Sequence, residues 1–394
     1  MNFSSYMREA LRLAKRGYGQ TSPNPMVGAV LIKNGKIIGR GWHHRAGEPH
    51  AEIEALRDTE RRGNKVPGAT LFVTLEPCST QGRTPPCTSA IIDAGIRTVV
   101  VGATDPNPEH CGHGFAILER AGIEVVSGIL AEQCTELNAA FNHWIVQGTP
   151  LVTVKAAMTL DGKIATASGE SKWITGELAR AHGMKLRQGS DAILVGVNTI
   201  LADDPSLTVR FSKGTNIKQR TANAELRTDS GRRLRRIVLD SQARTPLSAK
   251  VLNDDFAALT TVVVSDQAPS KRIAALEKRA NVLISSTPKH APRTTQNVRI
   301  NLRWLLKELG RENVTSLLVE GGGEVNAAFL LGGFTQRVAF FYAPKILGGR
   351  DSRKAVAGEG AANLNDVLQL QNLHWKKLGA DLLLTAEVGR AGSS

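Results

Sequence analysis

The sequence predicts an α/β protein of two domains, on three observations. Apolar strands and helical stretches alternate through the first third of the chain, Gln147-Gly148-Thr149-Pro150 breaks the alternation, and a second alternation follows. At roughly 150 residues per domain, a length of 394 allows two or three. The break divides residues 1–147 from 148–394.

In the first domain, strands at residues 27–32 and 37–42 flank Lys33-Asn34-Gly35-Lys36, and a central Asn-Gly signals a two-residue hairpin turn. Residues 50–62 read as a helix entered through Pro49. A strand at 70–75, a helix at 87–94 behind Pro85-Pro86, a buried strand at 98–102 and a helix at 114–121 complete it. The second domain reads as strands at 151–156, 192–197, 236–240, 261–265, 316–320, 337–343 and 381–385, with helices at 176–187, 302–309 and 324–331. There is no fixed-period repeat.

The composition, 41% hydrophobic and 22% charged, is that of a globular protein. No run approaches the ~20 apolar residues of a membrane span. Arg8 and Glu9 interrupt the start before an apolar stretch forms, so no signal peptide is expected. Four cysteines are too few for a disulfide scaffold, which makes the cytoplasm the expected compartment. Fifty Lys and Arg against 36 Asp and Glu give a net charge of +14, and such a surplus suits anionic partners. Much of it lies in 211–236, where Lys213, Lys218, Arg220, Arg227, Arg232, Arg233, Arg235 and Arg236 face only Glu225 and Asp229. Proteins that bind nucleic acid without sequence preference stack bases on aromatics, and this segment has one, Phe211. It reads as a solvated loop.

His50-Ala51-Glu52 is followed by Pro77-Cys78 and then Cys87. One imidazole and two thiolates make three zinc ligands and leave the fourth tetrahedral position for water, the pattern of a catalytic site. Glu52, two residues from His50, suits a carboxylate that exchanges a proton with that water. His-x-Glu with Pro-Cys and a later Cys is the signature of zinc nucleobase deaminases. The spacing departs from Pro-Cys-x-x-Cys, because Ser79-Thr80-Gln81-Gly82-Arg83-Thr84-Pro85-Pro86 separates the cysteines.

With that longer loop, Ser22-Pro23-Asn24-Pro25-Met26-Val27-Gly28 and Asp105-Pro106-Asn107-Pro108, the sequence resembles the bifunctional deaminase–reductases of riboflavin biosynthesis. The resemblance implies a cytidine-deaminase-like α/β/α sandwich in which His50, Cys78 and Cys87 bind zinc and Glu52 shuttles the proton. The implied substrate is a diaminopyrimidinone carrying a phosphoribosylamino group, deaminated to the uracil. Asn24, Arg83, Asp105 and Asn107 match substrate-pocket positions, although Asn and Asp also serve turns. Glu109-His110-Cys111-Gly112-His113-Gly114 departs from the family pattern. It reads as an ordinary loop or as a second metal site, with the loop preferred.

The resemblance continues through Lys155-Ala156-Ala157-Met158-Thr159-Leu160-Asp161-Gly162-Lys163, Ser171-Lys172-Trp173, the stretch 196–210, and Val319-Glu320-Gly321-Gly322-Gly323-Glu324-Val325-Asn326. It implies a dihydrofolate-reductase-like α/β domain that reduces the ribosyl to a ribityl chain with NADPH. An apolar strand running through three glycines into a helix suits this physically, because glycine lets backbone approach a diphosphate and the helix start offers free N–H groups. By position, Ala157, Trp173, Thr199, Asp203, Gly322, Gly323, Glu324, Val325, Asn326, Ala327 and Ala328 would contact the cofactor. Ser241, with Arg244, would hold its 2′-phosphate. Ser171, Arg187, Leu207, Arg210 and Glu320 would contact substrate. Lys155 and Glu320, each read at a strand end, are the catalytic candidates, since reduction of an aldehyde or imine needs a proton donor. The expected partner is a small phosphorylated pyrimidine, with neither nucleic acid nor membrane, and a homo-oligomer is expected. The competing reading is a nucleic-acid base deaminase with a basic RNA-binding extension.

Overall fold

A computed structural model describes residues 2–80, 85–210, 234–286 and 300–389. The chain forms two compact units, Met1–Gly148 and Thr149–Ser394.

The first unit is built on a five-stranded sheet. Its strands are β1 (Gly28–Lys33), β2 (Lys36–Trp42), β3 (Thr70–Leu75), β4 (Thr98–Ala103) and β5 (Glu124–Val126), in the order β2-β1-β3-β4-β5. The β1–β2 hairpin turns on Asn34 and Gly35, with φ of 51° and 72°. Two successive positive φ values are what a type I′ turn needs, and Asn-Gly tolerates them. β3, β4 and β5 run parallel. Alternate strand residues face opposite ways. Val30, Ile32, Phe72 and Val100 pack on α1 (Phe3–Ala14) and, through Cys134, on α5 (Ala131–Leu137). Leu31, Leu71, Val73, Val99 and Val101 pack on α2 (Ala51–Arg61), α3 (Cys87–Asp93) and α4 (His113–Arg120). Helices on both faces make an α/β/α sandwich. A further helix, α6 (Ala139–Gln147), ends at Gly148.

The second unit holds a nine-stranded sheet. Its strands are β6 (Leu151–Thr159), β8 (Ala192–Gly196), β9 (Arg235–Leu239), β10 (Thr260–Ser265), β11 (Asn281–Ser285), β12 (Ser316–Val319), β13 (Arg337–Ala343), β15 (Leu370–Leu378) and β16 (Asp381–Val388). The order is β11-β10-β9-β8-β12-β6-β13-β16-β15, parallel from β11 to β13 and antiparallel thereafter. A small pair, β7 (Lys163–Ala165) with β14 (Arg353–Lys354), lies outside it. The central strands are apolar runs, as strands covered on both faces should be. α7 (Glu177–Gln188), α8 (Val197–Asp203), α9 (Lys250–Asn253), α10 (Ser270–Glu277), α11 (Leu302–Arg311) and α12 (Gly323–Leu331) complete the unit.

The solvated-loop reading of 211–236 fails at its end. Arg235 and Arg236 belong to β9, and Arg236 is fully buried. Its guanidinium makes a two-point contact with Asp254, at 2.6 and 2.8 Å, and also donates to the carbonyls of Val251 and Ser206. Arg235 pairs with Glu312. A buried cation persists only when paired and hydrogen-bonded, and four acceptor contacts do this for Arg236. Residues 211–233 lie outside the described residues.

Candidate active sites

The first site lies where β3 and β4 end. Leu75 and Ala103 pair in register, so the turn after each strand emerges side by side, in the place where parallel sheets present their ligand loops. Pro77-Cys78 follows β3, Asp105 and Asn107 follow β4, Cys87 opens α3, and His50 is the residue capping α2. His50 Nδ1 lies 3.5 Å from Cys78 Sγ and 3.3 Å from Cys87 Sγ. Ideal tetrahedral zinc, with bonds of about 2.0–2.1 Å to nitrogen and 2.3 Å to sulfur, sets ligand atoms about 3.5 Å apart. The three donors therefore fit zinc in chemistry and in spacing. Among the described residues they are the one group of three or more His, Cys, Asp or Glu placed to hold a metal ion. His110, Cys111 and His113 do not form a second: His110 and Cys111 lie in a turn and His113 opens α4.

Within the cluster the three donors shift one another's protonation, and Cys78 is the one held as thiolate. The neighbouring Cys87 and then His50 hold the Cys78 thiol down at about 4. Cys87 is pushed up by the Cys78 thiolate and by burial. The contact with Cys78 raises His50. Glu52, in the first turn of α2, is 3% exposed, and its Oε2 is buried without a partner. Burial, with the Cys78 charge adding to it, pushes this carboxyl up to about 7.

Asn24 reaches the same site, and here the structure adds a residue the motif did not single out. His43, 2% exposed, lies edge-on to His50 at 5.3 Å between ring centroids. Its Nδ1 contacts the Pro49 carbonyl at 3.1 Å, and its Nε2 contacts Asn24 Nδ2 at 3.1 Å. A carbonyl only accepts, so Nδ1 carries the proton and Nε2 accepts from Asn24. Burial depresses His43 to about 4, which keeps this neutral tautomer. Asp105 Oδ1 accepts from the Asn107 N–H, and burial raises the Asp105 carboxyl. Arg83 lies outside the described residues.

The second site centres on Glu320, just past β12. Lys155 lies inside β6, not at a strand end as the sequence suggested. β6 is the longer strand, and Val319 pairs with Val154, so Lys155 is level with the end of β12. Its Nζ stands 3.5 Å from Glu320 Oε2. Arg187 donates to both Glu320 oxygens, from Nε at 2.8 Å and from Nη2 at 2.9 Å, and from Nη1 to the Thr208 carbonyl at 3.0 Å. The guanidinium of Arg187, expected to contact substrate, is thus engaged by protein acceptors, a carboxylate taking its two-point geometry. Burial works to raise the Glu320 carboxyl, but Lys155 and Arg187 outweigh it and hold it at about 2.

Of the expected cofactor and substrate residues, three face inward. Leu207 is 2% exposed in the core beside Val197 and Ile200. Asn326 is fully buried and donates to the Ala355 carbonyl, and Ala327 is buried beside it. Their side chains are closed to direct contact. Gly322, Gly323, Glu324, Val325 and Ala328 remain at least partly exposed. The glycines divide the work. A Cβ on Gly321 would strike Val325 at 2.5 Å and one on Gly323 the Lys354 carbonyl at 2.4 Å, whereas Gly322 faces open space. The start of α12 is therefore bare backbone that a diphosphate can approach. Thr199 lies in α8 and Ala157 in β6, and both are partly exposed. Ser171 Oγ donates to Asp203 at 3.4 Å. Trp173 is exposed beneath the Arg180 guanidinium, 4.6 Å from its ring. Ser241 is half-buried after β9, and Arg244 donates to Asn198 at 3.0 Å. Arg210 is exposed.

Two family models match the chain. The cytidine and deoxycytidylate deaminase zinc-binding region covers residues 2–103, and the RibD C-terminal domain covers residues 150–384. The riboflavin biosynthesis protein RibD of Aquifex aeolicus is 42% identical over 380 residues, covering 96% of this chain and 97% of its own. This chain belongs to the RibD family. RibD of Escherichia coli is 40% identical, over 96% of this chain and 97% of its own. The structure of Acinetobacter baumannii RibD superposes with a TM-score of 0.82 at 34% identity, covering 98% of this chain and 99% of that one. A Thermotoga maritima diaminohydroxyphosphoribosylaminopyrimidine deaminase/5-amino-6-(5-phosphoribosylamino)uracil reductase superposes at 0.78 with 32% identity and the same coverage. The chain is accordingly a bifunctional deaminase and reductase of riboflavin biosynthesis, with a cytidine-deaminase-like first domain, a dihydrofolate-reductase-like second, and zinc and NADPH as cofactors. A base deaminase with an RNA-binding extension is not favoured, because the supposed extension is the RibD reductase domain.

Proposed function

We propose that residues 1–147 deaminate the phosphoribosylated diaminopyrimidinone and residues 148–394 reduce the resulting uracil, through the following residues. His50, Cys78 and Cys87 hold zinc, which when bound supplies a Lewis acid that lowers the pKa of water to about 7. Glu52 takes a proton from the attacking water and gives it to the ring nitrogen, then takes the hydroxyl proton of the tetrahedral adduct and gives it to the amine, which leaves as ammonia while the C=O forms. The observation that carries this reading is the Glu52 carboxylate, buried with one oxygen free beside three zinc-competent donors. Asn24, Asp105 and Asn107 orient the pyrimidine, and His43 fixes the Asn24 amide.

In the reductase, NADPH when bound supplies the hydride. Backbone at Gly322–Gly323 cradles its diphosphate, and Thr199, Ser241 and Arg244 border it. The Lys155 ammonium donates the proton that the reduced centre requires, and Glu320 holds that ammonium in place. Arg187 positions Glu320, while Ser171 and Arg210 bind substrate, with Arg210 on the phosphate. We place the enzyme in the cytoplasm because its four cysteines are free thiols. Among the described residues, no helix is long and apolar enough to cross a membrane. A homo-oligomer is supported by the exposed edge strand β15, with Leu373 and Trp375 at 50% and 57% exposure. Metal analysis of Cys78→Ser tests the reading: zinc and deaminase activity should both be lost while the reductase persists. Retained zinc would remove Cys78 from the site.

A further inference from the structure

Glu76 is a buried acid that neither the metal nor the proton transfer uses. It is 5% exposed, directly precedes Pro77-Cys78, and has no cation among its hydrogen-bond partners. Its Oε2 accepts from the N–H of Asp105 and of Gly112, both at 3.1 Å, and its Oε1 accepts from the N–H of Gly114 at 2.9 Å. Its own N–H donates to the Ala103 carbonyl at 2.9 Å, closing the register between the ends of β3 and β4. One side chain on the metal-ligand turn thus collects three backbone donors, from the loop that carries Asp105 and Asn107 and from the first turn of α4 that follows it. The fit is close: a Cβ on Gly114 would meet the Pro77 carbonyl at 2.4 Å and Glu76 Oε1 at 3.1 Å.

We propose that Glu76 is a positioning residue of the deaminase, fixing the 105–114 loop at a set distance from Cys78 so that substrate is held in register with the reacting centre. The physical case is one of matched groups. Three N–H groups converging on a buried site demand an acceptor, and only a carboxylate offers two oxygens that accept without donating. Glutamine keeps the shape but turns one oxygen into an NH2, which faces an N–H and leaves it unpaired. The loop must then part from the turn on that side. Gly114→Ala acts on the same contact from the other partner, by wedging the loop away with the carboxylate intact.

The proposal rests on the reading of Asp105 and Asn107 as substrate contacts, so the experiment includes Asp105→Ala. Deaminase KM and kcat, bound zinc and reductase activity are measured for Glu76→Gln, Gly114→Ala, Asp105→Ala and the Glu76→Gln/Asp105→Ala double variant. Glu76→Gln and Gly114→Ala should each raise KM about ten-fold, the usual scale for a lost hydrogen bond to a charged group. In both, kcat should change less than KM, with one zinc retained and the reductase unaffected. In the double variant the KM effect should be far from multiplicative, because Glu76 acts through Asp105. Unchanged KM in both single variants, or effects that multiply fully, overturns the proposal. If Asp105→Ala itself leaves KM untouched, the substrate-contact reading fails instead. Should Glu76→Gln not fold, Gly114→Ala and its double variant with Asp105→Ala measure the same coupling.

Discussion

In the proposed deaminase, Glu52 moves the proton and the three donors hold the metal, so one substitution separates the two roles. Glu52→Gln keeps the side-chain shape and removes the base. Zinc content should stay at one per chain while deamination falls at least ~100-fold, the scale of a lost general acid/base, as metal analysis and steady-state rates will show. Loss of zinc in that variant would make Glu52 a ligand. In the reductase, Lys155→Ala and Glu320→Ala should each abolish NADPH oxidation, read by absorbance, and spare deamination. Arg187 and Arg210 should part ways. Arg187→Ala leaves Glu320 buried with one partner fewer and should lower kcat, whereas Arg210→Ala should raise KM for the phosphorylated substrate only. Glu320 also predicts a pH dependence. Its folded value of about 2 lies below its ordinary 4.5, so its ion pairs stabilise the fold above about 4.5 and lose that effect as pH falls toward 2. The gap of two to three pKa units amounts to about 3 kcal/mol. In urea unfolding, the stability difference between wild type and Glu320→Gln should therefore be large at pH 7 and shrink steadily below 4.5. At this scale the sequence was informative where chemistry admits few residue types. The grouping of His50, Cys78 and Cys87 is legible because zinc accepts few residue types, and the structure brings these donors together with the buried Glu52 in the first turn of α2. A carboxylate and a phosphate take the same guanidinium fork, so the sequence does not announce the pairing of Arg187 with Glu320. His43 carries no motif, and only its contacts identify it.

Elements with a local cause were the legible ones. The Asn34-Gly35 turn, the apolar central strands and the helix entered through Pro49 all appear, with bounds shifted by one to three residues. α1, α8 and β15 were not anticipated. α8 lies inside the 196–210 motif, whose Asn and Asp residues read as loop. β15 is largely exposed, so it lacks the apolar alternation that reports a strand, and its pairing with β16 is what makes it one. Arg236 shows the same limit from the other side. A run of charge reads as a solvated surface on average, yet one member of this run is sealed against Asp254. Removing Arg236 takes a buried donor from the Val251 and Ser206 carbonyls and breaks its two-point contact with Asp254, whose side chain is 25% exposed, and a lost hydrogen bond to a charged group costs about 1.5–3 kcal/mol. Arg236→Ala should therefore lower the unfolding midpoint of the reductase unit markedly. It should also weaken reduction, since Arg236 holds the Ser206 carbonyl in the loop leading to Arg210. Calorimetry and reductase rates of the Arg236→Ala variant will check both.

For the whole molecule, two chemistries sit in two units that fold around separate cores, so each activity should survive loss of the other. Thiolates must be deprotonated to bind zinc, so chelation in mild acid should strip the metal and halt deamination. Reduction of the pre-formed uracil should continue, which a coupled assay with and without restored zinc will show. The net charge of +14 does not by itself specify a partner. It makes a small phosphorylated substrate and a nucleic acid both electrostatically acceptable, and the family assignment favours the first. The most direct test is to incubate the zinc-loaded enzyme with the diaminopyrimidinone ribosyl phosphate, with and without NADPH, and to identify the products by mass spectrometry. Without NADPH, the deaminated uracil should accumulate with its ribosyl chain intact. With NADPH, the same uracil should appear carrying a ribityl chain. Absence of the deaminated product, or reduction that proceeds while the second amine is never replaced by oxygen, would contradict the account.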